Sequence, residues 1–176
     1  SLVPHVDSIR IDLYRFGKKS DKAKKETWNR FYYGKYEKAK EMDWRVNAGQ
    51  FRLLAFHGDS TACGFDKPYF LAKEEFVVDG GLDESGQPNV TVVETEVKVS
   101  NVRISVNFDE TVSGSYYDYF VRFARIDTSA VAGNAANKRF KQILRYKKDE
   151  TRDAYMMPTD SLQIQFMAQH EYADDE

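Results

Sequence analysis

Three histidines stand in the chain, His5, His57 and His170. No two lie at metal-ligand spacing, and neither an HxH nor an HExxH pattern occurs. His57-Gly58-Asp59-Ser60 sets a His, an Asp and a Ser side by side. A nucleophilic triad needs these groups to converge in space, not to follow one another along a turn, so Asp59 and Ser60 read as turn formers. Cys63 is the single cysteine, which excludes an internal disulfide and a cysteine metal cluster. It could pair with His57 as a nucleophile, but a small buried loop residue is the plainer reading. Gly80-Gly81 and Gly133 make no phosphate cradle, because no helix follows them. Asp79, Asp83 and Glu84 could hold calcium, but their spacing is not that of an EF-hand loop, and a solvated loop is the default. No carboxylate pair stands out for glycoside hydrolysis. The expectation is a protein without catalytic residues, metal or cofactor.

Aromatic side chains offer a different chemistry, stacking on a sugar ring or a base. The candidates are Trp28, Tyr32 and Tyr33, and the Tyr116-Tyr117 pair with Tyr119. Alternation sends Tyr117 to the face opposite Tyr116 and Tyr119. The first group lies in Lys18–Lys40, where Lys18, Lys19, Lys22, Lys24, Lys25, Lys35, Lys38 and Lys40 interleave with Trp28, Phe31, Tyr32, Tyr33 and Tyr36. Asp21, Glu26, Glu37 and Glu41 dilute the basic character, so this stretch reads as a lysine-rich loop running into a strand or short helix. The net charge of -2 gives no general attraction to nucleic acid or to an anionic membrane. Trp28, Tyr32, Tyr33 and Tyr117 remain as ligand-binding candidates, with a glycan as the matching ligand.

These residues must be held by strands. With 12 Phe and 11 Tyr, the chain can build a core of pleated faces. Val6–Phe16 alternates, with Ile9, Ile11 and Leu13 on one side. Met42–Val46 alternates and meets the turn Asn47-Ala48-Gly49, which predicts a hairpin with Phe51–Phe56. Adjacent Leu53 and Leu54 make that second strand central. Pro68 marks a strand start or edge, and Phe76–Val78 continues the run. Asp79–Pro88 is a loop. Val90–Val99 reads as a long strand with a face switch near Glu94–Glu96, and Val102–Asp109 as the cleanest alternation in the chain. Ser113-Gly114-Ser115 reads as a turn. Strands follow at Tyr116–Ile126, Phe140–Tyr146, Thr151–Met157 and Leu162–Phe166. Asp127–Asn137 reads as an exposed loop, and Glu171–Glu176 as a frayed tail. Many short strands with turns between them mean an all-β antiparallel sandwich. Two β modules are expected, residues 1–100 and 101–176.

Asn47-Ala48-Gly49-Gln50-Phe51-Arg52-Leu53-Leu54-Ala55-Phe56-His57-Gly58-Asp59 resembles a segment of the fimbrillin-like surface lipoproteins of Bacteroidetes. Gly64–Phe70 with Phe76–Val78, and Val97–Phe108, are similar to one branch of that group, a domain family of unknown function. Tyr117–Tyr119 and Glu150–Tyr155 match it more loosely. The resemblance implies a transthyretin-like, immunoglobulin-like β-sandwich without enzymatic activity. It implies export and display on the outer membrane of a Gram-negative cell, through a lipid anchor lying upstream of this chain. The implied roles are adhesion, surface assembly or glycan capture, with surface proteins or glycans as partners. Strand edges that accept a partner strand are one implied mechanism. The resemblance also implies O-glycosylation at Asp-Ser/Thr signals, which places Ser8, Ser60 and Ser161 as candidates. The chain departs from the group in its lysine content and in lacking the lipobox cysteine. A viral jelly-roll coat protein is the alternative, since size and strand count fit, although no arginine-rich arm is present.

Overall fold

Alternation in Arg10–Gly17 (β1) produces the strand on which a five-stranded sheet is built. Ile11 and Leu13 point to one face, Asp12 and Tyr14 to the other, as a pleat requires. The structure, a computed structural model, describes residues 2–127 and 139–170. β1 pairs antiparallel with Thr27–Lys35 (β2) on one side and Gly49–His57 (β3) on the other. β3 pairs in turn with Phe70–Val78 (β5), and β5 with the two-residue Lys98–Val99 (β6). The order is β2-β1-β3-β5-β6, so β3 is central, as Leu53 and Leu54 require.

One face of this sheet is covered. Ile11, Ala55 and Ala72 from the strands and Ala39 from the short helix Tyr36–Lys40 (α1) form its core, with Leu13, Tyr32, Leu53 and Val97 packed against them. Burial of such apolar surface stabilises by about 25 cal/mol per Å². Trp44 adds to this face, its indole N–H donating to the Ala39 carbonyl at 2.8 Å and its ring edge-on to Tyr32.

Beyond His57 the chain turns at Gly58, whose φ of 94° suits glycine. It contributes Gly64–Phe65 (β4) to a second compact unit before returning at Tyr69. That unit comprises Asp59–Pro68 and Asn101–Glu176, and the first comprises Ser1–Gly58 and Tyr69–Ser100. In the second unit β4 pairs with Ala154–Met156 (β10), which pairs with Val102–Ile104 (β7). A second three-stranded sheet has Leu162–Gln169 (β11), Asp118–Asp127 (β8) and Arg139–Lys147 (β9) in the order β11-β8-β9. Ile104, Ala154 and Met156 from the first of these sheets pack with Phe123, Leu144 and Tyr146 from the other. This is a β-sandwich core. The buried Tyr146 hydroxyl reaches the carbonyls of Ile104, at 2.9 Å, and of Arg152. The chain is thus all-β and antiparallel, a sandwich protein of more than one module.

Several elements differ from the sequence reading. Met42–Val46 forms no strand, so the Asn47-Ala48-Gly49 hairpin does not exist; Trp44 is used to cover the sheet instead. Residues 90–97 form no ladder. Val90 and Val92 are exposed, while Val97 packs against the core and the Thr95 hydroxyl donates to Glu74. Alternation here marks a covering strap, not a strand. Of Val102–Asp109 only the first three residues are β. Asp109 accepts from the Thr111 N–H and so caps the helix Glu110–Ser115 (α2), which replaces the expected turn. Lys18–Lys40 follows the sequence reading, with a loop before Thr27 that runs into β2 and then α1. Asp127 ends β8, and residues 128–138 and the tail 171–176 lie outside the described residues.

Candidate functional site

The other face of the five-stranded sheet carries a group of aromatic and charged side chains. On it lie Arg10, Asp12, Tyr14 and Phe16 of β1, Trp28, Arg30 and Tyr33 of β2, and Arg52 and Glu75 of β3 and β5. A bulge makes this grouping. Leu13 pairs with Tyr32 but Tyr14 pairs with Arg30, so Phe31 is an extra residue in β2. Without it, the odd spacing from Trp28 to Tyr33 would put them on opposite faces. With it, Trp28 opposes Phe16 and Tyr33 opposes Asp12, both on the open face.

Two stacks result. The Arg52 guanidinium lies 4.1 Å from the Trp28 ring centroid and is held there by Glu75, whose Oε1 accepts from Arg52 Nε at 2.9 Å and Nη2 at 2.6 Å. Phe16 flanks the indole at 5.3 Å. Tyr33, half exposed, sits beneath both Arg10 at 5.3 Å and Arg30 at 5.2 Å. Cation–aromatic contacts of this kind fix ring orientation while leaving the edges open.

Asp12, opposite Tyr33 in the register, is only 6% exposed. Its Oδ2 accepts from the Tyr14 hydroxyl at 3.3 Å, and its Oδ1 has no hydrogen-bond partner. Arg30 Nη1 approaches Oδ1 at 3.6 Å, beyond hydrogen-bond distance, and its side chain is 53% exposed. Burial, then the Asp12 charge, pushes the Tyr14 phenol above its ordinary value. A buried carboxylate acceptor thus lies under a half-exposed arginine. A shallow hollow of about 110 Å³, lined by Trp28, Gln50, Phe51, Glu75, Phe76 and Val77, adjoins the first stack. It is too small to enclose a ligand, so anything bound lies flat on the face.

The structure brings Trp28 and Tyr33 together and separates the other two candidates from them. Tyr32 points to the covered face, against Trp44. Tyr117 belongs to the second unit, where its 63% exposed ring lies 5.5 Å from Lys148 Nζ. Asp12, Arg30 and Arg52 were not singled out by sequence; only the register of three strands discloses them. Among the glycosylation candidates, Ser60 is exposed, while Ser8 and Ser161 are half-buried. The Ser8 hydroxyl donates to the His5 carbonyl at 2.5 Å.

The chemistry-bearing residues elsewhere are occupied. Asp59 Oδ1 accepts from the Thr61 N–H and hydroxyl, which lowers its pKa and closes the expected turn. Asp83 Oδ1 accepts from Ser85 and Gln87, so it closes its own loop. His57 Nδ1 lies 3.1 Å from the Ser8 carbonyl and donates to it. Burial pushes the Cys63 thiol above its ordinary value. Among the described residues no group of three or more His, Cys, Asp and Glu side chains could hold a metal ion. No helix among them is long and apolar enough to cross a membrane.

Fold and site define an all-β antiparallel protein with one open, aromatic and charged sheet face. The chain belongs to the family described as a domain of unknown function, DUF4493, whose pattern matches residues 20–174. No curated protein and no solved structure matches it.

Proposed function

We propose that the chain is a non-catalytic, cell-surface β-sandwich protein of fimbrillin-like type that captures carbohydrate on the open face of its five-stranded sheet. The observation that carries this reading is the bulge at Phe31, which sets Trp28 and Tyr33 on one face around a buried carboxylate. The sugar hydroxyls take the arginine donors and the Asp12 and Glu75 acceptors beside the open edges of Trp28 and Tyr33. Asp12 has a free acceptor site, and Arg30 is exposed enough to swing aside for a hydroxyl. Adhesion or surface assembly is the role that such capture serves. Export and display on the outer membrane of a Gram-negative cell rest on the fimbrillin resemblance of Gln50–Asp59 and its flanks.

A glycan array probed with the purified chain tests this reading. Binding to a restricted set of glycans is expected, reduced at least tenfold by Trp28→Ala with the far-ultraviolet dichroism of the chain unchanged. A blank array from folded protein would sink it.

A further inference from the structure

Exposed strand edges invite pairing, and proteins guard them with charges, bulges, prolines or brevity. Every other edge strand of the three sheets is guarded among the described residues. β2 carries Arg30 and Lys35 and the Phe31 bulge. β9 carries Lys141, Arg145 and Lys147, and its register with β8 shifts at Lys141. β4, β6 and β7 are two or three residues long. β11 has none of these devices. Its eight residues, LQIQFMAQ, hold no charge and no proline, and they pair with β8 without a register shift. Its apolar side chains are open to solvent: Ile164 is 62% exposed, Phe166 48% and Met167 49%.

The backbone groups of this edge can be assigned. The Ile126 N–H donates to the Ser161 carbonyl, so the Ser161/Ile126 pair is hydrogen-bonded. With the β11–β8 register, bonded pairs then recur at Gln163, Gln165, Met167 and Gln169. The N–H and C=O groups of Leu162, Ile164, Phe166 and Ala168 therefore point away from β8. The Gln163 and Gln165 side-chain amides are already engaged, both accepting from Arg122 Nη1, at 2.8 and 3.0 Å.

We infer that β11 is a self-association edge, on which the β11 of a second copy pairs antiparallel about a two-fold axis at Gln165. Antiparallel pairing centred there sets Ile164 against Phe166 of the second copy and Leu162 against Ala168. All four outward-facing residues then fall in hydrogen-bonded pairs, giving about eight new bonds. An uncharged strand needs an uncharged partner, and its own copy meets that condition at every position without a clash of like charges. On one face Ile164 meets Phe166 and Leu162 meets Ala168, so the symmetric contact is self-complementary there. A contact of one strand edge lies at the small end of interfaces, so the association is concentration-dependent. This association does not depend on carbohydrate binding by the other unit.

Sedimentation equilibrium over about a hundredfold concentration range reads the dimer directly. The expected weight-average mass rises from 20.4 kDa towards twice that value. Ile164→Pro removes an N–H that β8 does not use, and is expected to hold the chain monomeric with unchanged circular dichroism. Gln165→Cys, made with Cys63→Ser, places two thiols across the axis in a non-bonded pair, about 4.5 Å apart at Cα, close enough for a disulfide. It is expected to cross-link in air, whereas Gln163→Cys, which faces Met167 of the second copy, does not. A chain that stays monomeric throughout, or that cross-links no better through position 165 than through 163, would overturn the inference.

Discussion

Replacing Asp12 by valine should stabilise the first unit, because the carboxylate breaks a rule of sheet construction where it stands. Its Oδ1 is buried without a hydrogen-bond partner, and an unmet buried acceptor costs about 1–3 kcal/mol. Two contacts offset part of this. The pair with the half-exposed Arg30 is worth no more than about 1 kcal/mol, and the long Tyr14 hydrogen bond about as much. Valine also suits a strand better than aspartate, by up to about 1 kcal/mol. The variant frees Tyr14 and Arg30, both of which can reach water. The net expectation is a gain of about 1 kcal/mol, or roughly 4–8 °C in the Tm of that unit. Both tryptophans of the chain, Trp28 and Trp44, belong to the first unit, so indole fluorescence in urea reports its unfolding selectively. Glycan binding should fall in the same variant. A loss of more than about 1 kcal/mol on Asp12→Val would overturn this expectation, since a carboxylate that stabilises the sheet is there for structure.

Two further expectations concern the second unit. Tyr146→Phe keeps the buried ring but leaves the Ile104 and Arg152 carbonyls without their donor, and should cost about 1–3 kcal/mol, measured as the urea midpoint by far-ultraviolet dichroism. Glu150 is held down to about 2 from the ordinary 4.5 by hydrogen bonds from Arg152. Because its folded pKa is depressed, its contribution is present above the ordinary value and is lost as pH falls towards about 2. The difference between wild type and Glu150→Gln should therefore shrink from about pH 5 to about pH 2.5, and a difference that is constant with pH would count against the pairing.

The strands that bury one face were legible because alternation survives in them. Ile11 and Leu13 in β1 and Tyr119 and Phe123 in β8 follow it; Leu162 to Phe166 in β11 alternate too, although Ile164 and Phe166 are exposed. Leu53 and Leu54 disclosed the central strand. Alternation failed where a segment covers a sheet without joining its ladder, as Val90 to Val97 does, because a strap facing a flat surface has the same period as a strand. The hairpin at Asn47-Ala48-Gly49 failed because Trp44 gains more from packing on Tyr32 and bonding to Ala39 than from a ladder. Asp109 with Thr111 carried a capping signal for α2 that its β-like surroundings masked. At the site, Trp28 and Tyr33 were visible as residue types, but their union was not. It depends on one bulged residue, Phe31, and on a register that brings Asp12 and Arg52 from strands distant in sequence. No local pattern encodes such a register.

Everything proposed for carbohydrate capture turns on the open face built by β1, β2, β3 and β5 being the binding surface. Amide chemical-shift mapping of the labelled chain, titrated with the strongest glycan from the array, reads that surface residue by residue. Shifts should concentrate at Asp12, Trp28, Tyr33, Arg52 and Glu75, with the indole and guanidinium resonances of Trp28 and Arg52 moving together. Shifts concentrated instead around Tyr117 and Lys148, with the Trp28 indole still, would place the site on the other unit and end the proposal.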